Sequence, residues 1–598
     1  MAFKIKIAPT YTLILFLIIL GTGRLFSQTN AEFKTYQGEE PIELKKPNFK
    51  KEADLTHNKP IQPNTHSKVT TDTTQPKEKT LIYLEQTDLI KFDQDILPDI
   101  QVLLGNVILR HDNAYLYCDS AYLNQNTNSF KAFGHVKIEQ SDSVTIFSKE
   151  LDYNGNSRIA KVKYNVRMIN GEVTLTTDSM TYDRNKNIGY YTCGGTLQDS
   201  VNTLVSQKGY YHTDTKLAEF KTDVIGTNEN NTIVSDTLTY NTNTKIATII
   251  GPTTITHSDS TTIYSELGWY NSTTDESQLL KNPIITHSEG KTLIGDTIFY
   301  DKKLGLGKAF SNVVLTDTTN SIILKGHYGY YQEEGEIGLM TDSAMLIEYS
   351  QKDTTYIHAD TLYSYALKDQ KAVHAWYNAR LYQKDYQAIC DSVYFFSGDS
   401  ILHLMQQPVL WSDSQQITGD TITIEPGDSS NNIVFIKDNS IIIQKFDTIH
   451  FNQMSGKDMK GYIKNNKLEI LEIKGNSESI FFPDDGGTLI GLNTIKSSYM
   501  TIYFKNGKLD RLNVFPSPTA VLYPMEQITD NMLYLPNFTW QEDARPISKE
   551  DIFRHPKRIS KKEIEEKKQA IKNQEKEERK QNKIKKGLNK QETTIQQR

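Results

Sequence analysis

From Thr80 onward, apolar and polar residues alternate in short runs of period two. Asp236-Thr237-Leu238-Thr239-Tyr240 is the clearest, with Leu238 and Tyr240 on one strand face and the threonines on the other. The same signature recurs at 178–182 and 296–300, and more weakly at 207–211 and 266–270. Its front half alone recurs at Asp119, Asp360, Asp391 and Asp420. Aligning on the Asp places Lys149, Gln207, Glu266 and His327 in the same register, with a looser copy at Asp458. The period is about 30 residues over about eleven copies, which predicts a stacked repeat architecture.

Each unit has a second half about a dozen residues later, running from a small apolar residue through Gly, Asn or Pro to a β-branched one. Ala132-Phe133-Gly134-His135-Val136 and 309–313 are examples, and polar turns such as 241–244 lie between the halves. The unit therefore reads strand, turn, strand, turn, and the stack predicts an all-β body with two sheets facing across a core. A helical solenoid is excluded, because no repeat holds a run of period 3.6 and helix length. The residue before the Asp position is nearly always small (Cys118, Ser148, Thr177, Ser206, Ser235, Ser265), so neighbouring walls approach closely there. The Asp itself is expected to cap free backbone N–H groups at a corner.

Residues 1–27 read as an export signal, with Lys4 and Lys6 before an apolar run from Tyr11 to Leu20. Residues 28–79 are polar and aperiodic and read as a flexible linker. The repeated body spans 80–515, and 516–555 is expected to cap its open end through Phe538 and Trp540. The tail, 556–598, is basic and either a solvated helix or disordered; from Pro556 to Lys590 it holds 14 Lys or Arg against 6 Glu. With a formal charge of -6 overall, that local +8 leaves -14 on the rest, so the body carries no basic stripe for nucleic acid. At ~4.8 Å of rise for each of about twelve turns, the body is expected to be ~60 Å long. Cys118, Cys193 and Cys390 do not make a disulfide framework and are expected to be small buried hydrophobes.

The sequence contains no HExxH, GxSxG or CxxC motif, and Gly290-Lys291-Thr292 lacks the first glycine of a phosphate loop. The Asp column admits Lys149, Gln207 and His327, which neither a metal stack nor a catalytic carboxylate pair would tolerate. No enzymatic activity and no cofactor or metal are expected. The tyrosine column (Tyr153, Tyr182, Tyr211, Tyr240, Tyr270, Tyr300, Tyr331) reads either as a packing ladder or as the lining of an apolar lumen suited to acyl chains.

Gly105-Asn106-Val107, then Cys118-Asp119-Ser120-Ala121-Tyr122, then Ala132-Phe133-Gly134-His135-Val136 resemble the OstA/LptA family of lipopolysaccharide-transport proteins. The resemblance is to the long OstA-like form of Bacteroidetes-type bacteria. It extends through Gly456–Tyr462, Gly475–Ile480 and Arg545-Pro546, covering about residues 80–555. It implies an elongated, twisted β-jellyroll of about twelve ~30-residue strand-turn-strand repeats whose apolar interior holds lipid A acyl chains. It also implies a periplasmic location, associated with the outer or inner membrane, and as partners lipopolysaccharide itself and other lipopolysaccharide-transport components at the inner and outer membrane. End-to-end self-association through terminal strands would extend the body.

On this basis the chain is expected to shield acyl chains in a groove between two sheets, aiding outer-membrane assembly. The expected groove-lining residues are Leu151, Tyr153, Met180, Tyr182, Leu238, Tyr240, Ile298 and Tyr300. The alternatives are an exported polysaccharide-binding or polysaccharide-processing solenoid and a structural spacer of the envelope.

Overall fold

The computed structural model describes residues 80–556, apart from 141–143, 288–289, 320, 350–353, 368–369, 413, 427–430, 465–466, 486–487 and 506–507, and isolated helical residues between 562 and 580. The expected export signal and linker lie outside the described residues. Within the body the fold is all-β, built from one antiparallel system of 42 strands.

Strands Ile100–His111, Ala114–Asn124, Ser129–Gln140, Val144–Asn154, Ile159–Asn170 and Val173–Asp183 run back and forth as a meander. Each is folded over at its middle. The register slips between Leu104 and Val107, Phe133 and Val136, and Lys163 and Val166, and again in later repeats. Two consecutive residues with positive φ occupy each slip: Gly105 and Asn106, Gly134 and His135, Tyr164 and Asn165. Such an inserted pair bends a strand sharply, so the two halves of every strand enter different walls. The small-apolar, Gly/Asn segment of the sequence is this bend. Farther along, the halves separate into distinct strands; Ile188–Tyr191 and Gly195–Gln198 pair with opposite ends of Val173–Asp183.

The body is thus a clamshell in section, with a seam of bends along one side and two rows of hairpin turns along the other. Wall 1 holds segments such as 114–118 and 136–140, and wall 2 holds 120–124 and 129–133. The chain does not coil once per repeat; it crosses both walls twice. Each repeat therefore adds two strands to each wall, and the expected length of ~60 Å becomes about 115 Å.

The Asp column works differently from a backbone cap. Its carboxylates accept from side chains of the facing bend: Asn106 donates to Asp88 at 2.9 Å, Asn312 to Asp296 at 2.9 Å, Asn378 to Asp360 at 2.9 Å and Asn439 to Asp420 at 3.0 Å. The backbone N–H at the Asp position donates to the bend carbonyl, and this bond is made as well by Gln207 (3.0 Å to Thr222) as by Asp296 (2.9 Å to Ser311). That explains why the column tolerates other residues. The small residue before it is buried, and its hydroxyl donates to the carbonyl two residues on, at 3.1, 2.9, 3.1 and 2.8 Å for Ser148, Ser206, Ser235 and Ser265. Cys118 and Cys390 are buried, but Cys193 is exposed, contrary to expectation, because it lies in the break between two half-strands.

Residues 525–556 do not cap an end. They run back along the outer face of wall 1 as a strap. Gln453 donates to the Leu533 carbonyl (2.7 Å) and accepts from the Leu535 N–H (2.8 Å). Gln416 does the same with Thr539 (2.6 Å) and Gln541 (2.8 Å). Arg545 donates to Gln387 at 2.7 Å, and Phe553 lies 4.7 Å from the ring of His358. Phe538 and Trp540 pack on Phe451, and Ala544 joins Ile389, Val409 and Trp411, giving this stretch of wall 1 a second, outer core.

Candidate functional site: the interior between the walls

Alternation along each half-strand turns one set of side chains inward, and these merge into one apolar cluster running from Ile82 to Ile502. Leu151, Tyr153, Tyr182, Leu238 and Ile298 are 0 % exposed, Met180 and Tyr240 are 2 % exposed, and Tyr300 packs partly buried against the same cluster. The inward face predicted from strand phase is therefore the face observed.

All eight belong to wall 2. The opposing lining is wall 1, with Leu116, Ile138, Ile146, Met168, Leu175, Leu204, Ile233 and Ile255 also buried. Sequence reasoning missed this half, although its residues alternate just before each Asp position and could have been read from the same register.

The expected open groove is closed. Among the described residues, side chains of the two walls meet, and two of the spaces left between them are water-sized: about 20 Å³ between Ile357 and Leu404, and about 10 Å³ beside Asn202 and Tyr240. The closure has a cause on the turn side. From Arg158 to Asp275, the last residue of each wall 2 turn has positive φ and reaches across to the wall 1 turns. Arg158 meets Asp112 at 3.0 Å, Asn187 accepts from Gln140 at 3.1 Å, Lys216 donates to Asn170 at 2.6 Å, Lys245 meets Asp199 at 2.8 Å, and Asp275 accepts from Asn231 at 3.1 Å. This row is a latch between the walls.

The tyrosine column is part of the latch. Tyr240 donates to Asp199 at 2.7 Å and accepts from Asn202 at 2.7 Å; Tyr270 donates to Asp275 and accepts from Asn231, each at 2.6 Å. Tyr153 meets Arg184 at 2.6 Å and His111 at 2.7 Å. The rings fill the core and the hydroxyls end in the polar row, so both readings of the column meet in one arrangement. Burial pushes the Asp199 carboxyl upward, but hydrogen bonds from Lys245, Asn202 and Tyr240 outweigh it and hold the group below its ordinary value. The same burial, with Asp199 as acceptor, raises the Tyr240 hydroxyl. Asp199 is thus a fully buried carboxylate that stays charged because the latch surrounds it.

Among the described residues, no group of three His, Cys, Asp or Glu side chains is placed to hold a metal, and no helix is long and apolar enough to cross a membrane. His358 is a packed histidine whose Nδ1 lies 2.7 Å from the Ala344 carbonyl.

A family model described as OstA-like protein matches residues 79–236 and again 228–354. No curated protein matches the chain.

Proposed function

Because the chain belongs to the OstA-like family across residues 79–354, whose members are of lipopolysaccharide-transport type, we propose that it carries lipopolysaccharide in the periplasm by burying acyl chains between its walls. The observation that carries this reading is the unbroken apolar interior from Ile82 to Ile502, enclosed by two walls joined only by bends on one side and side-chain bonds on the other. Hydrocarbon entering there exchanges one apolar contact for another while leaving water, which contributes about 0.8 kcal/mol per CH₂. Leu151, Tyr153, Met180, Tyr182, Leu238, Tyr240, Ile298 and Tyr300 would then form one wall of the path. The protein performs no chemistry on its cargo, and transfer draws on other transport components at either membrane.

A filled interior is also what an inert envelope spacer would have. Expression of the full chain in a lipopolysaccharide-bearing envelope, followed by purification and mass spectrometry of extracted acyl chains, separates the two. Lipid A in near-stoichiometric amount supports carriage. Lipid-free protein that also fails to bind added lipopolysaccharide leaves the spacer.

A further inference from the structure

The latch and the buried tyrosines end near residue 305, and the interior changes character beyond it. In the turn that follows Asp275, the residue at the latch position is Gly305, φ 59°, which has no side chain to reach across, and among the described residues the last contact between the turn rows comes from Lys302 of the same turn, 2.5 Å from Asp259. Farther on, positive-φ turn residues bond within their own wall: Glu336 meets Lys371 at 2.6 Å, and Ser400 donates to the Ser397 carbonyl at 3.4 Å. Tyr331, next in the tyrosine register, is 46 % exposed. Buried inner alanines occur in the latched section (Ala121, Ala132, Ala160, Ala218, Ala247) and beyond it, at Ala344, Ala359, Ala375, Ala379 and Ala388. Among the latter lies the 20 Å³ space, bounded on wall 1 by Ile357, Leu381, Ala388 and Cys390 and on wall 2 by Leu402 and Leu404, with Thr355, Arg380 and Tyr386 also in its lining.

Resting on the carrier reading, we infer that acyl chains seat in this section, between Ile357, Leu381 and Ala388 on one wall and Leu402 and Leu404 on the other, rather than in the latched section before residue 305. Parting the walls in the latched section separates Asp199 from Lys245 and strands tyrosine hydroxyls in hydrocarbon. Beyond Gly305, Glu348, Thr355 and Gln383 are buried at the turn edge of wall 1, but the facing side chains Ile357, Leu381, Leu402 and Leu404 are apolar, and a hydrocarbon chain replaces those contacts in kind. The strap supports the outer face of the same wall 1 strands, through Arg545 on Gln387, so this wall stays in place as the other gives way.

Two native cysteines test the assignment without substitution. Cys390 borders the proposed seat and is 2 % exposed; Cys118 lies in the latched section and is 7 % exposed. Full-length protein is treated with dodecyl methanethiosulfonate and, separately, with the methyl reagent, and each site is followed by mass spectrometry. The dodecyl-to-methyl rate ratio cancels intrinsic thiol reactivity, which matters because burial pushes the Cys118 thiol up to about 12. The ratio at Cys390 is expected to exceed that at Cys118 by at least about tenfold, and purified lipopolysaccharide should slow dodecyl labelling at Cys390. Exposed Cys193 reports reagent quality. A ratio at Cys118 equal to or above that at Cys390, in protein that still binds lipopolysaccharide, overturns the seat and leaves carriage standing. Failure to bind lipopolysaccharide at all overturns both.

Discussion

Replacing Lys245 by Met removes the cation that lies 2.8 Å from Asp199, while keeping most of the side chain's apolar length. The Asp199 side chain is 0 % exposed and that of Lys245 is 17 % exposed, so the pair is largely shielded from solvent. Breaking a buried pair by removing one partner costs roughly 3–5 kcal/mol. Here Tyr240 and the Asn202 backbone still donate to Asp199, at 2.7 and 2.8 Å, which brings the expected cost to about 2–3 kcal/mol. A long repeat array does not unfold in one step, so a global midpoint is the wrong readout. Native-state hydrogen exchange reads local opening instead. The amides of Asn202 and Ser272, which bond to Asp199 and to the Lys245 carbonyl, should exchange about 30- to 150-fold faster. Amides beside Arg158 and Asp112 should be unchanged, because repeats contact only their neighbours. Adding Asp199→Asn to Lys245→Met should restore most of the protection, since the amide needs no counterion. Unchanged exchange in Lys245→Met would refute the latch as what holds the walls together.

Four further outcomes follow from the geometry. Asp199 is depressed when folded, so its stabilisation is complete above its ordinary value of 3.8 and is lost as pH falls below that; exchange at the latch should accelerate there and not between pH 5 and 7. His374, stacked between Tyr365 and Tyr394 on wall 2, is lowered by burial from 6.5 to about 4. The neutral ring's stabilisation is therefore present above pH 6.5 and is lost as pH falls towards 4, and His374→Phe should shrink the acid-induced loss of amide protection in the strand Gln370–Trp376 over that window. Gly134→Ala sets a Cβ 2.2 Å from the Asp119 carboxylate at φ +72°, whereas Gly171→Ala at φ +64° meets nothing within 4 Å. By native-state hydrogen exchange of the neighbouring amides the first should cost clearly more than the ~1 kcal/mol expected of the second. Gln416→Ala leaves the Thr539 carbonyl and Gln541 N–H unpaired beneath the strap, a loss of about 2 kcal/mol, and should hasten tryptic cleavage at Arg545 and Lys549.

The repeat, the strand character and the inward phase of Leu238 and Tyr240 were legible because all three depend on neighbours in sequence. What stayed hidden depends on partners about 45 residues away or more. Arg158, Asn187, Lys216 and Lys245 look like ordinary turn residues, although their even spacing of 29 was a usable signal. Gln387, Gln416 and Gln453 lie outside the repeated signature, and their strap partners are more than a hundred residues away in two cases. The length was underestimated because the period gives residues per repeat, not strands per wall.

The strap also sets an order of assembly. Repeats before residue 305 can complete their contacts with the units just made, so they can mature one after another as the chain emerges. Wall 1 between Thr355 and Ser455 cannot, because its outward glutamines and Trp411 stay uncovered until residues 533–553 arrive. A chain interrupted near residue 520 would present a finished front and an uncovered, sticky rear, and it is there that a chaperone or a protease would take hold.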